Sequence, residues 1–258
     1  MIYWLTQTLG DIPDNEDWLG TRERTLKDAL RIPKRRADWL LGRWTGKHVA
    51  AAYLQETAML EQSLSGHEGN SGMDWSQRAV RCDDLVQINL SGVGMPTVLS
   101  EIEILAASDG APQVFLRDQP APVTISISHS NGIGFCCAAS QNHAIGCDLE
   151  KIEPRSPAFI ADFFTAAEMT SVQAASVGDQ ALLATLIWSA KESALKALRT
   201  GLRLDTRCIE VECHSYQRPT GWMNVSVCGH NQASQFQGRW RCWNGFVQTV
   251  VKVFVAPD

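Results

Sequence analysis

The chain has 258 residues, 45% of them hydrophobic and 20% charged, with a net charge of −5; that is an ordinary globular composition with enough apolar material for one large domain or two modest ones. The acidic balance gives no support to nucleic-acid binding by overall charge, so an anionic ligand needs a local basic cluster. The apolar start, Met1 to Leu5, is too short to span a membrane and lacks a signal peptide's basic flank, and the eight cysteines include no C-x-x-C pair of the kind that binds zinc. The cysteines read as reduced core residues of a cytoplasmic protein.

In chain order, residues 1–8 read as an edge strand, 11–19 as an acidic loop broken by Pro13, and 20–30 as a polar helix. After Pro33 comes the densest basic cluster, Lys34-Arg35-Arg36, followed by Arg43 and Lys47. Arg36, Arg43 and Lys47 are spaced i, i+7, i+11, along one face of a helix that continues through Leu60. Such a stripe is ordinarily just solvated, but it is less expected in an acidic chain. Residues 65–72 are rich in Gly and Ser and read as a loop. Residues 83–90 and 97–105 look extended, 109–112 form a turn, 113–116 a short strand, and the stretch through Pro120 and Pro122 another loop.

Residues 124–128 alternate as a strand, Asn131-Gly132 is a strong hairpin signal, 133–139 return, and 143–150 read as the third strand of a meander. Thr165 and Glu168 match a capping box and open a helix. Residues 180–199, with no Gly or Pro inside, form the strongest helix, and Gly201 follows its end. The remainder is strand-like at 208–213, 222–227, 239–243 and 246–255. A coarse helix-then-strands order thus recurs in each half.

On a helical wheel of residues 180–199, Leu183, Leu186, Ile187, Ala190 and Ala194 gather on one side, while Trp188, Glu192 and Lys196 share nearly the opposite side. Alone, that stripe reads as a solvated face with one Glu–Lys pair. Asp148 and Glu150 are two apart in a strand, so their carboxylates share a face and Leu149 takes the other. Isolated, such a pair is more commonly two surface acids. Two like charges so close repel unless neutralised, and all-oxygen ligation suits Mg²⁺, which keeps waters and takes phosphate oxygens, so two or three carboxylates suffice. His129, between Ser128 and Ser130, offers charge-assisted hydrogen bonds to a phosphate.

The order of these signals carries more than any one of them: basic helix, Ser128-His129-Ser130, Gly146-Cys147-Asp148-Leu149-Glu150, then Trp188-Ser189-Ala190-Lys191-Glu192-Ser193-Ala194-Leu195-Lys196. The set resembles the 4′-phosphopantetheinyl transferases of the larger, monomeric type that serve peptide and polyketide synthesis. Gly110-Ala111-Pro112 and Phe163-Phe164-Thr165-Ala166-Ala167-Glu168 are similar to the family's intervening segments. The resemblance is sharp over residues 102–204, looser before and weak after.

The resemblance implies an α/β (α+β) fold of two similar subdomains, residues 1–145 and 146–258, about a pseudo-twofold axis with the ligand cleft between them. It implies transfer of the phosphopantetheine arm of coenzyme A to a serine of an apo acyl, peptidyl or aryl carrier protein, releasing 3′,5′-ADP, by a cytoplasmic monomer without nucleic-acid or membrane partners. Asp148, Glu150 and Glu192 would bind Mg²⁺ and Glu192 would take the serine proton. Lys196 would contact the phosphates with help from Lys191, and His129 with Ser128 would meet the 3′-phosphate. Arg36 and Arg43 would bind the same nucleotide end. Cys147, Ser193 and the residues flanking Pro112 depart from the family's usual choices. Two other readings share these residues: a Mg²⁺-dependent nucleotide or coenzyme A pyrophosphatase, and a non-catalytic carrier-binding module.

Overall fold

The structure, a computed structural model, describes residues 1–64, 79–82, 85–88, 98–213, 216, 219–227 and 235–253. The loop expected at 65–72 lies outside them. The chain divides into two compact units, one of Met1–Ser108, Pro112–Ile127 and Gly132–Asn142, the other of Asp109–Ala111, Ser128–Asn131 and His143–Asp258. Both units are mixed α/β, so the expected fold class holds.

The first unit's sheet contains β1 (Ile2–Thr8), β2 (Ala79–Cys82), β3 (Leu85–Ile88), β4 (Ile102–Ala106), β5 (Pro112–Leu116), β6 (Gln119–Ser130) and β7 (Ile133–Ser140). Their order is β2-β3-β1-β7-β6-β5-β4. Contrary to expectation, β1 is not an edge: it pairs parallel with β3 and antiparallel with β7. Ile2, Tyr3, Trp4 and Leu5 are all buried, the continuous apolar run of a strand covered on both faces. Pro120 and Pro122 lie within β6 rather than in a loop. Between Gln113 and Phe115 the ladder to β5 slips register, the kind of irregularity that tolerates proline. Helices α1 (Thr21–Asp28) and α2 (Pro33–Leu64) complete this unit.

The second unit's sheet runs β8-β12-β11-β10-β9, from β8 (Ile145–Lys151), β9 (Ile209–Cys213), β10 (Thr220–Val227), β11 (Gln235–Trp243) and β12 (Phe246–Val253). The strand expected at 143–150 as the end of a meander instead starts this second sheet, at its edge beside β12. Three helices accompany it: α3 (Pro157–Phe163), α4 (Ala166–Ala174) and α5 (Gln180–Ala197). The α4 capping box forms as the sequence predicts, with Thr165 Oγ1 accepting from the Glu168 N–H. Helix α5 packs on β8 and β12. Leu183, Leu186, Ile187, Ala190 and Ala194 enter the unit's core.

The two units share one plan. Each has a strand (β1 or β8) beside the last strand of a meander, closed by Asn131-Gly132 in one and Asn244-Gly245 in the other. Both turns take left-handed φ values, 50° and 75° in the first and 49° and 78° in the second, as a two-residue hairpin loop requires. Each also has a buried lysine–glutamate pair. In the first unit Glu23 accepts from the N–H groups of Gly20 and Ile104 and lies 2.5 Å from Lys47 Nζ, which also donates to the carbonyls of Trp18 and Leu99. In the second, Glu168 accepts from Thr165 and Val211 N–H and lies 2.8 Å from Lys191 Nζ, which donates to the Thr206 and Ile209 carbonyls. Both lysine side chains are 0% exposed, a burial sustainable only with the charge paired and its hydrogen bonds filled. The repeat was readable as Trp44-Thr45-x-Lys47 against Trp188-Ser189-x-Lys191.

Candidate active site

Strand β8 and helix α5 carry matched stripes. Gly146, Asp148 and Glu150 recur every second residue, rising about 6.6 Å per step on a strand. Trp188, Glu192 and Lys196 recur every fourth, rising about 6 Å per step on a helix. The stripes face one another. Lys196 Nζ donates to Asp148 Oδ1 at 2.8 Å and to the Cys147 carbonyl at 3.0 Å. Trp188 Nε1 donates to Glu150 Oε1 at 3.2 Å. Gly146 lets the elements come this close: a Cβ there would overlap the Ser193 carbonyl oxygen and fall 2.7 Å from Ala197 N. Ser189 and Ser193 lock α5 in place through the Thr249 hydroxyl, at 2.9 and 2.7 Å, and Thr249 is the β12 residue paired with Asp148.

The electrostatics are concentrated on three carboxylates. Asp148 is 4% exposed. Its Oδ1 accepts from Lys196 and from Ser128 Oγ at 2.8 Å, while its Oδ2 is buried with no hydrogen-bond partner. Burial and then the Asp148 charge push the Glu192 carboxyl up to about 6, with Lys196 opposing and Glu150 adding. Burial and Asp148 also raise Glu150, against Arg155 and Trp188. For Lys196, burial is the largest influence and acts downward, but Asp148, Cys147 and Glu192 together turn the net shift upward.

An unpartnered carboxylate oxygen beside acids that repel one another fits a hard cation. Among the described residues no group of three or more His, Cys, Asp or Glu side chains is placed to hold a metal ion by itself. A cation here would have to take one or two carboxylates and complete its shell with waters and phosphate oxygens, the ligation that suits Mg²⁺.

Other sequence-predicted residues are placed as follows. Ser128 is buried: besides its bond to Asp148, its Oγ accepts from the Leu149 N–H at 3.2 Å, so it anchors Asp148. Lys191 lies in the core pair with Glu168 and is turned away from the acidic stripe, its donors taken up by Glu168 and the Thr206 and Ile209 carbonyls. His129 is exposed at the end of β6 and belongs to the second unit. Arg36 and Arg43 belong to the first. Arg36 lies 3.4 Å from Glu16, and Arg43, over the Trp39 ring at 4.7 Å, reaches toward Glu23 at 4.0 Å. Burial lowers the Arg43 pKa, with Glu23 opposing.

Two residues here carried no sequence signal for a role. Trp188 was on the right face of the wheel, yet the wheel gave it no chemistry. Arg155, after Pro154 in the connection from β8 to α3, donates from Nη2 to Glu150 Oε2 at 2.8 Å. No helix of the described residues is long and apolar enough to cross a membrane.

No curated protein matches the chain. A family model does match, over the stretch that holds β8, helices α3 to α5, strands β9 to β11 and part of β12: residues 144–250, with Asp148, Glu150, Glu192 and Lys196 inside, match the 4′-phosphopantetheinyl transferase superfamily.

Proposed function

We propose that the protein transfers the 4′-phosphopantetheine moiety of coenzyme A to a serine of an apo carrier protein, releasing 3′,5′-ADP. One observation carries this reading: within the matched segment, Asp148, Glu192 and Lys196 gather at one contact of β8 with α5, with a buried carboxylate oxygen of Asp148 left free. Asp148 and Glu192, with Glu150 beside them, are the residues we assign to Mg²⁺. Bound there, the ion would neutralise the charge that develops on the pyrophosphate as the carrier serine attacks the β-phosphate.

The chain's own groups do the rest. Glu192, ionised near neutral pH but with a raised affinity for protons, is suited to accept the serine proton. Lys196, kept protonated by Asp148, neutralises the leaving phosphate and is in place to return a proton to it. Ser128 and the Leu149 N–H hold Asp148 in position. On the same reading the 3′-phosphate of coenzyme A falls to His129.

The test is intact mass of a panel of apo carrier proteins after incubation with the protein, coenzyme A and Mg²⁺. The expected result is the addition of one phosphopantetheine on at least one carrier, lost with Asp148→Ala or Glu192→Ala. Cleavage of coenzyme A without a carrier, and no carrier modified, would replace this reading with a pyrophosphatase.

A further inference from the structure

Glu150 is held at both oxygens. Its Oε1 accepts from Trp188 Nε1 at 3.2 Å and its Oε2 from Arg155 Nη2 at 2.8 Å. The two donors are themselves braced by one aromatic group. The Trp188 ring meets Phe159 at 4.9 Å and Phe163 at 5.1 Å, edge to face, and the Arg155 guanidinium lies 5.2 Å from the centre of the Phe159 ring. Trp188 is 9% exposed and the Arg155 side chain 14%, so neither swings freely in solvent.

The first unit supplies an internal comparison. Trp44 stands three residues before Lys47 as Trp188 stands three before Lys191. Gln7 stands one pair beyond the Ile133–Thr8 pair in the strand ladder, as Glu150 stands one beyond Phe246–Lys151. The first unit thus has a tryptophan and an amide where the second has a tryptophan and an acid. There, Trp44 packs on Trp18 and His48, and both Trp44 Nε1 and Gln7 Oε1 are buried without a partner. The indole–carboxylate bond is therefore not a by-product of the shared helix-and-strand plan. It occurs in the unit that carries the acids.

We propose that Trp188 and Arg155 are positioning residues that fix the Glu150 carboxylate for a divalent cation, one hydrogen bond per oxygen, leaving the remaining lone pairs aimed at the site. This rests on reading Asp148, Glu150 and Glu192 as a cation site. Outer groups that orient a ligand in this way ordinarily change metal affinity by about tenfold or more when removed. Trp188→Phe removes the N–H and keeps a ring against Phe159 and Phe163.

The experiment titrates the full chain with Mn²⁺ alone, reading free aquo-Mn²⁺ by electron paramagnetic resonance, together with the melting temperature of each variant. Trp188→Phe is expected to weaken Mn²⁺ binding about tenfold with little change in melting temperature. The double variant Trp188→Phe/Glu150→Gln is expected to bind no more weakly than Glu150→Gln alone, because the indole acts only through that carboxylate. The same cycle with Arg155→Gln reads the other oxygen and remains informative if the tryptophan variant folds poorly. Unchanged affinity in Trp188→Phe and Arg155→Gln, or effects that simply add to that of Glu150→Gln, would overturn the proposal while leaving the cation site standing. A wild-type chain that holds no Mn²⁺ would overturn both. Coupled cycles in a chain that modifies no carrier would support the positioning pair and remove the transferase reading.

Discussion

The Lys196 ammonium lies 2.8 Å from one oxygen of Asp148, while the other oxygen of that carboxylate is buried and unpartnered. One cation is in place on Oδ1, and Oδ2 is left without a partner. Lys196→Met should therefore have two separable effects. Transfer should fall by roughly a hundredfold or more, the cost of losing one preorganised charge on developing negative charge. Without added cation the fold should lose about 1–3 kcal/mol, because Asp148 is left buried and less satisfied. Carrier mass shift under single-turnover conditions and a denaturant melt with and without Mg²⁺ check the two, and Mg²⁺ is expected to restore stability more than activity.

Glu192 gives a pH dependence with a definite sign. Its carboxyl rises from an ordinary 4.5 to about 6 in the folded chain, so the native state holds this proton more tightly than the unfolded state does. Stability from this group is therefore present below pH 4.5 and is lost as pH rises through about 6. Since the side chain is only half-buried, the loss is on the order of 1–2 kcal/mol. Glu192→Gln should raise the melting temperature of the metal-free protein at pH 7.5, and the gain should vanish near pH 4.5. A melting-temperature series across pH measures it. Mn²⁺ affinity of the wild type should fall from pH 7 to pH 5, because binding must displace the proton.

Much of this site was legible from the sequence, for a periodic reason. Asp148 and Glu150 had to share a strand face, and Trp188, Glu192 and Lys196 a helix face, and those two faces are the ones that meet. The wheel taken alone misjudges one thing: the stripe is not an open solvated face, since Trp188 is 9% exposed and Glu192 and Lys196 are half-buried. Lys191 could not be read from spacing alone. It lies next to Glu192 in sequence but about 100° away around the helix, which sends it to Glu168 in the core rather than to the acids. Arg155 was beyond reach because no local pattern says that a loop arginine will fold back on Glu150. In the fold, the apolar run of β1 was visible, but its parallel pairing with β3 depends on a strand far away in the sequence, and the start of a new sheet at β8 depends on β12 nearly one hundred residues later.

The two lysines of the helix motif should separate cleanly. Lys191 is fully buried with its charge and donors taken by Glu168, Thr206 and Ile209. Lys191→Ala leaves Glu168 charged and alone in the core, at a cost of about 3–5 kcal/mol. Its folded fraction should nevertheless bind Mn²⁺ with near wild-type affinity, whereas Asp148→Asn should not. Urea titration gives the first quantity and paramagnetic titration at low temperature the second. Selective loss of Mn²⁺ affinity in folded Lys191→Ala would return this lysine to the site.

Gly146 tests whether the spacing of β8 and α5 sets the chemistry. A methyl group there meets helix backbone, the Ser193 carbonyl and Ala197 N, and neither can rotate away as a flexible side chain would. Gly146→Ala should force the strand and helix apart and cost about 1–3 kcal/mol, the range for overpacking a close contact. The strain falls two residues from Asp148, so the Asp148–Lys196 bond should weaken with it. Gly178→Ala is the control, since the nearest atom to its added methyl is a Ser176 hydroxyl at 3.9 Å and no contact must yield. The expected outcome is a lower melting temperature and weaker Mn²⁺ binding for Gly146→Ala, with both unchanged for Gly178→Ala. Wild-type Mn²⁺ affinity in a destabilised Gly146→Ala would show that the glycine serves packing alone and that the acids adjust without it.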